Sequence, residues 1–235
     1  MMFEHGRLVN ADAMEIMGQL ADDSIDMIFA DPPYRAVSGG NKSPASTANY
    51  GWNSGPLAKN DGKIFKHNNI KPETYLPEMK RVLKPGGHCY IMTNRITLLS
   101  LLAAAKNNKF HLTNLLFWAK GRKNANRYYM IETEIICMFY NKPAKSINDC
   151  GQAQIHYCSP VKKEDRIHDT EKPVELIQRF IENSTEPGQL VLDPFAGSGS
   201  TAVAAIRSDR MFCVVELDET YYLQACGRIW GEYQK

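Results

Sequence analysis

The chain has 235 residues, of which 43% are hydrophobic and 23% charged, with a net charge of +2. That composition is ordinary for a soluble globular protein, and the length suffices for one large domain with a substantial core. The six cysteines (Cys89, Cys137, Cys150, Cys158, Cys213, Cys226) form no Cys-x-x-Cys pair and mostly sit in apolar runs, which argues for buried free thiols rather than bridges or metal ligands. The start, Met1 to Gly6, lacks an apolar signal core, and the longest apolar run, near Leu98 to Ala105, is too short to span a bilayer. A cytoplasmic protein with no membrane segment and no metal is expected.

In chain order, Gly6–Asn10 reads as a short strand, and Asp12 opens a helix with Met14, Ile16, Met17 and Leu20 near one face. Ile25, Met27, Ile28 and Phe29 follow a polar turn and read as a buried parallel strand, Ile25–Ala30. The strand runs into Asp31-Pro32-Pro33-Tyr34. Proline cannot donate to a sheet ladder and restricts the residue before it, so the two prolines end the strand on one rigid path. Asp31 and Tyr34 are thereby presented at the strand's carboxyl end, where open α/β sheets place ligands. Read blandly, the same residues are a strand, a loop and a turn-capping aspartate.

Residues 35–71 are rich in Gly, Asn, Ser and Lys with scattered apolar positions. A loop of that length is either functional or disordered; the functional reading is a lid over the substrate with Tyr50, Trp52 and Lys59 as contacts. Pro72 starts a helix carrying Tyr75, Leu76, Met79, Val82 and Leu83, stopped by Lys84-Pro85-Gly86-Gly87. His88–Thr93 is the next strand, Arg95–Lys106 an apolar helix, and Leu112–Trp118 and Glu134–Phe139 a late strand pair. Between Met79 and Ile131 there are ten Lys or Arg and no Asp or Glu. Within that stretch Lys120, Arg122, Lys123, Asn126, Arg127 and Tyr128 interleave bases with an amide and an aromatic, which suits phosphate contacts and stacking as well as it suits a solvated basic face.

Asn141–Arg166 is short and polar. Thr170 and Pro173 then suit the N-cap and first turn of an amphipathic helix with Val174, Ile177, Phe180 and Ile181 inward. After the strand Leu190–Leu192, Asp193-Pro194-Phe195-Ala196-Gly197-Ser198-Gly199-Ser200-Thr201 forms a glycine-rich turn into a helix. Gly197 and Gly199 let backbone approach a ligand, and the helix N-terminus beyond supplies N–H donors. Glu216 ends the strand Met211–Val215 and stands where nucleotide-binding α/β folds carry their ribose-hydroxyl partner. The G-x-G-x-x-G spacing of dinucleotide sites is missing, which argues against a nicotinamide enzyme. Tyr221–Ile229 closes the chain as a helix.

Asp31-Pro32-Pro33-Tyr34 followed much later by Leu192-Asp193-Pro194-Phe195-Ala196-Gly197-Ser198-Gly199 resembles the S-adenosylmethionine-dependent amino-methyltransferases of DNA. With the catalytic motif ahead of the cofactor glycines, the order resembles their permuted beta group. The resemblance runs from about Leu8 to Ile229, with a gap between Arg35 and Lys71. It implies a Rossmann-like α/β fold, a seven-stranded and mostly parallel sheet with helices on both faces, in one methyltransferase domain. It implies cofactor contacts from Asp12, Asp31, His168, Thr170, Lys172, Asp193, Phe195, Ala196, Gly197, Ser198, Gly199, Ser200, Thr201, Glu216 and Leu217, and places Glu134 near a target-base pocket. Trp118-Ala119-Lys120 matches the family's Trp-x-Lys after the first of the late strands.

The activity implied is methyl transfer to the N(6) amine of adenine in double-stranded DNA, as in restriction–modification systems. Asp31, Pro32, Pro33 and Tyr34 form the catalytic motif. Aspartate at its first position favours adenine in this family, whereas cytosine N(4) enzymes carry serine. The cytosine reaction, an RNA substrate of the same fold and a non-catalytic nucleic-acid-binding subunit are the alternatives, and a homodimer is compatible with the resemblance. An exocyclic amine is a poor nucleophile because its lone pair is delocalised into the ring. The Asp31 carboxylate and Pro32 carbonyl would localise it by accepting the two amine hydrogens, while the base is flipped out of the duplex and stacked on Tyr34.

Overall fold

The computed structural model describes residues 1–33, 70–124, 129–167 and 171–235. The expected loop contacts Tyr50, Trp52 and Lys59, together with Tyr34, Asn126, Arg127, Tyr128, His168 and Thr170, lie outside them. The elements are β1 (Met2–Phe3), β2 (Gly6–Asn10), α1 (Ala13–Gln19), β3 (Ile25–Ala30), α2 (Pro72–Val82), β4 (Leu83–Thr93), α3 (Leu98–Asn107), β5 (His111–Asn124), β6 (Ile131–Tyr140), β7 (Ile155–Tyr157), α4 (Val174–Ser184), β8 (Leu190–Asp193), α5 (Ser200–Arg207), β9 (Met211–Glu216) and α6 (Glu219–Glu232).

Among the described residues these strands form one sheet in the order β1-β2-β9-β8-β3-β4-β6-β5-β7. Only β1 and β6 run against the rest. The expected seven strands form its body, and two short strands, β1 and β7, extend it at the edges. Apolar side chains alternate along the central strands and feed two cores. Met27 and Phe29 of β3 pack with α4, α5 and α6, whereas Ile28 and Ala30 pack with α1, α2 and α3. A strand buried on both faces is apolar along nearly all its length, which is how β3 reads apart from Asp26.

Its one acidic residue serves register. Asp26 accepts hydrogen bonds from Leu190 N at 2.9 Å and Gln189 Nε2 at 3.2 Å, and pairs with Lys84 Nζ at 2.6 Å, so one carboxylate ties β3 to the starts of β8 and β4. Close to it, a Cβ on Gly87 would lie 2.9 Å from the Asp26 carbonyl oxygen, so the strands approach there only because that position is glycine.

Four local expectations need correction. Helix α2 ends at Val82, because Leu83 already pairs with Ile25 and the Lys84–Gly87 segment is absorbed as an irregularity in the β3–β4 ladder. Strands β5 and β6 are longer than Leu112–Trp118 and Glu134–Phe139, because the polar residues at their far ends still exchange ladder bonds at the sheet's rim. The polar segment Asn141–Arg166 contributes β7, which pairs with β5 from Phe117 to Ala119. Finally, α4 begins at Val174, so Pro173 takes the N-cap position and not the first turn.

The topology puts a crevice at the sheet's centre. From β3 the chain moves through α2 to β4 on one side, while β8 leads through α5 to β9 on the other. Neighbouring strand ends at such a switch diverge, and ligands of open α/β sheets bind there.

Candidate functional site

β3 and β8 pair in parallel from Met27–Val191 to Ile28–Leu192, so Asp31 and the turn beginning at Asp193 emerge side by side. Two chain segments far apart in sequence thus meet at the switch point.

The β8 turn is braced from within. Asp193 accepts from Phe195 N at 2.9 Å and from the Thr201 hydroxyl. Ser200 Oγ donates to the Lys172 carbonyl at 2.8 Å, and Ala196 N donates to the Val215 carbonyl at 2.8 Å. Gly197 (φ 52°) and Gly199 (φ 77°) take left-handed backbone, and a Cβ on Gly199 would also press on Ala225 Cβ at 3.2 Å, where α6 crosses. Ser198, Ser200 and Thr201 are buried, so their hydroxyls hold the turn's shape. Phe195 is half-buried and packs edge-on against Tyr75.

Glu216, at the end of β9, accepts from Gly197 N at 2.8 Å and Asp218 N at 2.8 Å, one on each oxygen. A carboxylate has about four acceptor positions, so it keeps capacity for ribose hydroxyls. Leu217 follows it, exposed, with its carbonyl bonded to Asn10 Nδ2 at 3.1 Å. Asp12 lies beyond the end of the neighbouring β2, and its carboxylate caps α1 by accepting from Met14 N at 2.7 Å. The capping reading of Asp12 is therefore realised, on the same edge as Glu216.

At β3, Pro32 is buried, Pro33 half-buried and Asp31 ion-paired. Asp31 Oδ2 stands 2.5 Å from Lys172 Nζ, and the same ammonium lies 3.7 Å from Glu134 Oε2. Glu134 in turn binds Lys120, whose ammonium sits 4.8 Å over the Trp118 ring. Lys120 is thus drawn into the site, whereas Lys123 is exposed. Burial raises Asp31 above the ordinary carboxylate value despite Lys172, with Glu134 adding to the rise. Glu134 is also desolvated, but Lys172 and Lys120 outweigh that and hold it low.

Across the crevice, burial foremost pushes Asp193 up to about 7, against the Thr201 and Phe195 hydrogen bonds, and the nearby charges of Asp31 and Glu216 add to it. Burial raises Glu216 as well. These are three desolvated carboxylates, of which Asp193 is further disfavoured as an anion by the other two, and a cationic ligand in this lining would stabilise their charged forms. A sulfonium nucleoside with an ammonium group and a ribose diol fits that set of acceptors.

Sequence reasoning missed a clamp behind the turn. Arg228 of α6 donates to the Ser198 carbonyl at 3.1 Å and meets the hydroxyls of Ser198 and Ser200 at 3.0 Å each, while pairing with Glu171 at 2.8 Å. Glu171 also accepts from Ile167 N at 2.9 Å. The available signal was an arginine between Cys226 and Ile229, on the buried face of its helix.

An open sheet with a braced glycine turn, a diol-ready acid and a carboxylate–proline–proline strand end defines a transferase that uses a nucleoside cofactor. The DNA methylase family, N6/N4 type, matches residues 25–226, and the chain belongs to it. It is 31% identical to the Type II methyltransferase M2.DpnII of Streptococcus pneumoniae, over 96% of this chain and 90% of that one. To M2.MboI of Moraxella bovis it is 29% identical, over 96% and 87%. Among solved structures, M1.HpyAVI in complex with SAM superposes with a TM-score of 0.68 at 23% identity, covering 95% of this chain and 99% of that one. The cytosine-N4-specific PvuII DNA methyltransferase gives 0.70 at 16%, covering 99% and 93%. The protein is an S-adenosylmethionine-dependent DNA methyltransferase. Among the described residues, no helix is long and apolar enough to cross a membrane.

Proposed function

We propose that the chain methylates the N(6) amine of adenine in double-stranded DNA, as one domain that carries both the cofactor turn and the target site. The observation that supports this most is the side-by-side emergence of Asp31 and the glycine turn from paired strands β3 and β8. S-adenosylmethionine supplies an electrophilic methyl group on a sulfonium. Glu216 binds the ribose hydroxyls, and the backbone at Gly197–Gly199 closes against the nucleoside. The Asp31 carboxylate and the Pro32 carbonyl accept the two amine hydrogens and localise the nitrogen lone pair. Burial strengthens Asp31 as an acceptor, so it also takes the proton the amine sheds after transfer. Holding the amine in line with the methyl group accounts for about 7–11 kcal/mol of the barrier in well-oriented systems.

A paired base cannot reach a crevice at strand ends, so the target is flipped out and stacks on Tyr34. Lys123, with Arg122, Asn126, Arg127 and Tyr128 of the same segment, contacts the duplex backbone. The Type II designation of M2.DpnII and M2.MboI supports a modification role paired with a restriction enzyme.

Duplex DNA incubated with methyl-labelled cofactor and digested to nucleosides tests the reading. N(6)-methyladenine is expected. Label in N(4)-methylcytosine would overturn the base assignment, and label confined to an RNA control would overturn the substrate.

A further inference from the structure

The ion pairs around Asp31 share one lysine between two carboxylates at unequal distances. Lys172 is 7% exposed and sits between two carboxylates, 2.5 Å from Asp31 Oδ2 and 3.7 Å from Glu134 Oε2. The other Glu134 oxygen is held by Lys120. Glu134 Oε2 is buried and, among the described residues, accepts no hydrogen bond. A buried carboxylate oxygen without a donor is unfavourable and needs a reason. Meanwhile an Asp31 oxygen committed to an ammonium is a weak acceptor for an amine.

We propose that Glu134 is the second seat of the Lys172 ammonium: when the target amine enters, Lys172 shifts from Asp31 Oδ2 to Glu134 Oε2 and releases Asp31 to the base. The shift closes a gap of 3.7 Å to ordinary hydrogen-bond length, about 2.7–3.2 Å, within the reach of a lysine side chain. Glu134 then bridges Lys172 and Lys120, while the Asp31 carboxylate exchanges its ammonium partner for a hydrogen bond from the neutral amine, which makes it the stronger acceptor. No covalent bond changes and no proton moves. Lys120 belongs to β5, the strand that continues into the basic segment proposed to contact DNA. Glu134 acts through Lys172 and is a positioning residue.

This inference rests on Asp31 as the amine acceptor, and the test separates the two. Single-turnover transfer is measured from pH 5.5 to 9 at saturating cofactor and DNA, on the full chain and on Glu134→Gln, Lys120→Gln and Asp31→Asn, with S-adenosylhomocysteine binding as the check of folding. The charged groups facing Asp31 are Lys172, Glu134, Lys120 and Asp193. Glu134→Gln removes a negative neighbour and the alternative seat. Its plateau rate should fall about ten- to a hundredfold, as when outer partners of site ligands are removed, and its acid limb should move to lower pH.

Lys120→Gln leaves Glu134 entirely to Lys172, so its acid limb should move the other way. A Glu134→Gln enzyme with the wild-type plateau, or with a lowered plateau and an unmoved limb, overturns the proposal. If that variant fails to bind S-adenosylhomocysteine, the Lys120→Gln limb decides: an unmoved or downward limb overturns it. Full activity in Asp31→Asn would instead remove the reading of Asp31 itself.

Discussion

The two sides of the crevice are built on different physics. On the cofactor side the β8 turn is held by short hydrogen bonds, from Phe195 N and Thr201 Oγ1 within it and from Ser200 Oγ to the Lys172 carbonyl, with Arg228 behind them. On the target side Asp31 is held by a line of alternating charges reaching across three strands to Lys120. Hydrogen bonds within a turn fix one backbone shape in advance, which lowers the ordering cost of binding a constant ligand. Ion pairs sharing a lysine have more than one arrangement, which suits the proposed entry of a flipped base. The cofactor side is a mould, and the target side is a poised balance of charge.

The sharpest way to break that contrast is at Asp31. Asp31→Asn keeps the shape but loses the charge, and transfer should fall by about 10³-fold while isothermal titration still shows S-adenosylhomocysteine binding. Lost binding would mean the two sides are not separable. Next in size is the clamp behind the turn. Arg228→Ala leaves Glu171, 2% exposed, without its guanidinium, and should lower unfolding stability by about 3 kcal/mol in chemical denaturation.

Glu216→Gln tests the mould directly. It weakens a charged acceptor, so cofactor affinity should drop about tenfold, with kcat at saturation close to wild type; a fall in kcat alone would place Glu216 on the chemical step. Smaller still, Lys123→Ala removes an exposed cation, and should reduce the salt slope of duplex binding by about one, seen by fluorescence anisotropy across a salt series. The least effect is on pH. Asp193 is raised on folding, so the stability it contributes is complete below the ordinary value of 3.8 and is lost as pH climbs toward about 7. Calorimetry on the cofactor-free protein should show a steeper decline over that window than Asp193→Asn shows.

Much of this contrast could be read in the chain and some could not. The turn was legible because its determinants are local: a strand, two glycines where left-handed backbone occurs, and an acid at the end of the next strand. Asp31 was legible for the same reason, since the prolines behind it end β3. β7 was not, because three residues carry too little periodicity to stand out from a polar loop. The far ends of β5 and β6 were missed because a rim strand can be polar and still pair. Glu134 was noted only as an acid near a pocket, and Arg228 went unmarked, because each takes its meaning from partners on distant elements.

From its sequence alone the protein settled its two motifs and the apolar run that makes β3 a central strand, each written in neighbours a few positions apart, and the order of the motifs settled its family. Tertiary structure decided which charges meet. Asp31, Lys172, Glu134 and Lys120 come from four separate segments, and only the folded sheet and the segment before α4 bring them within ion-pairing range. Electrostatic partnership depends on distance and desolvation, and neither quantity exists until the chain has folded.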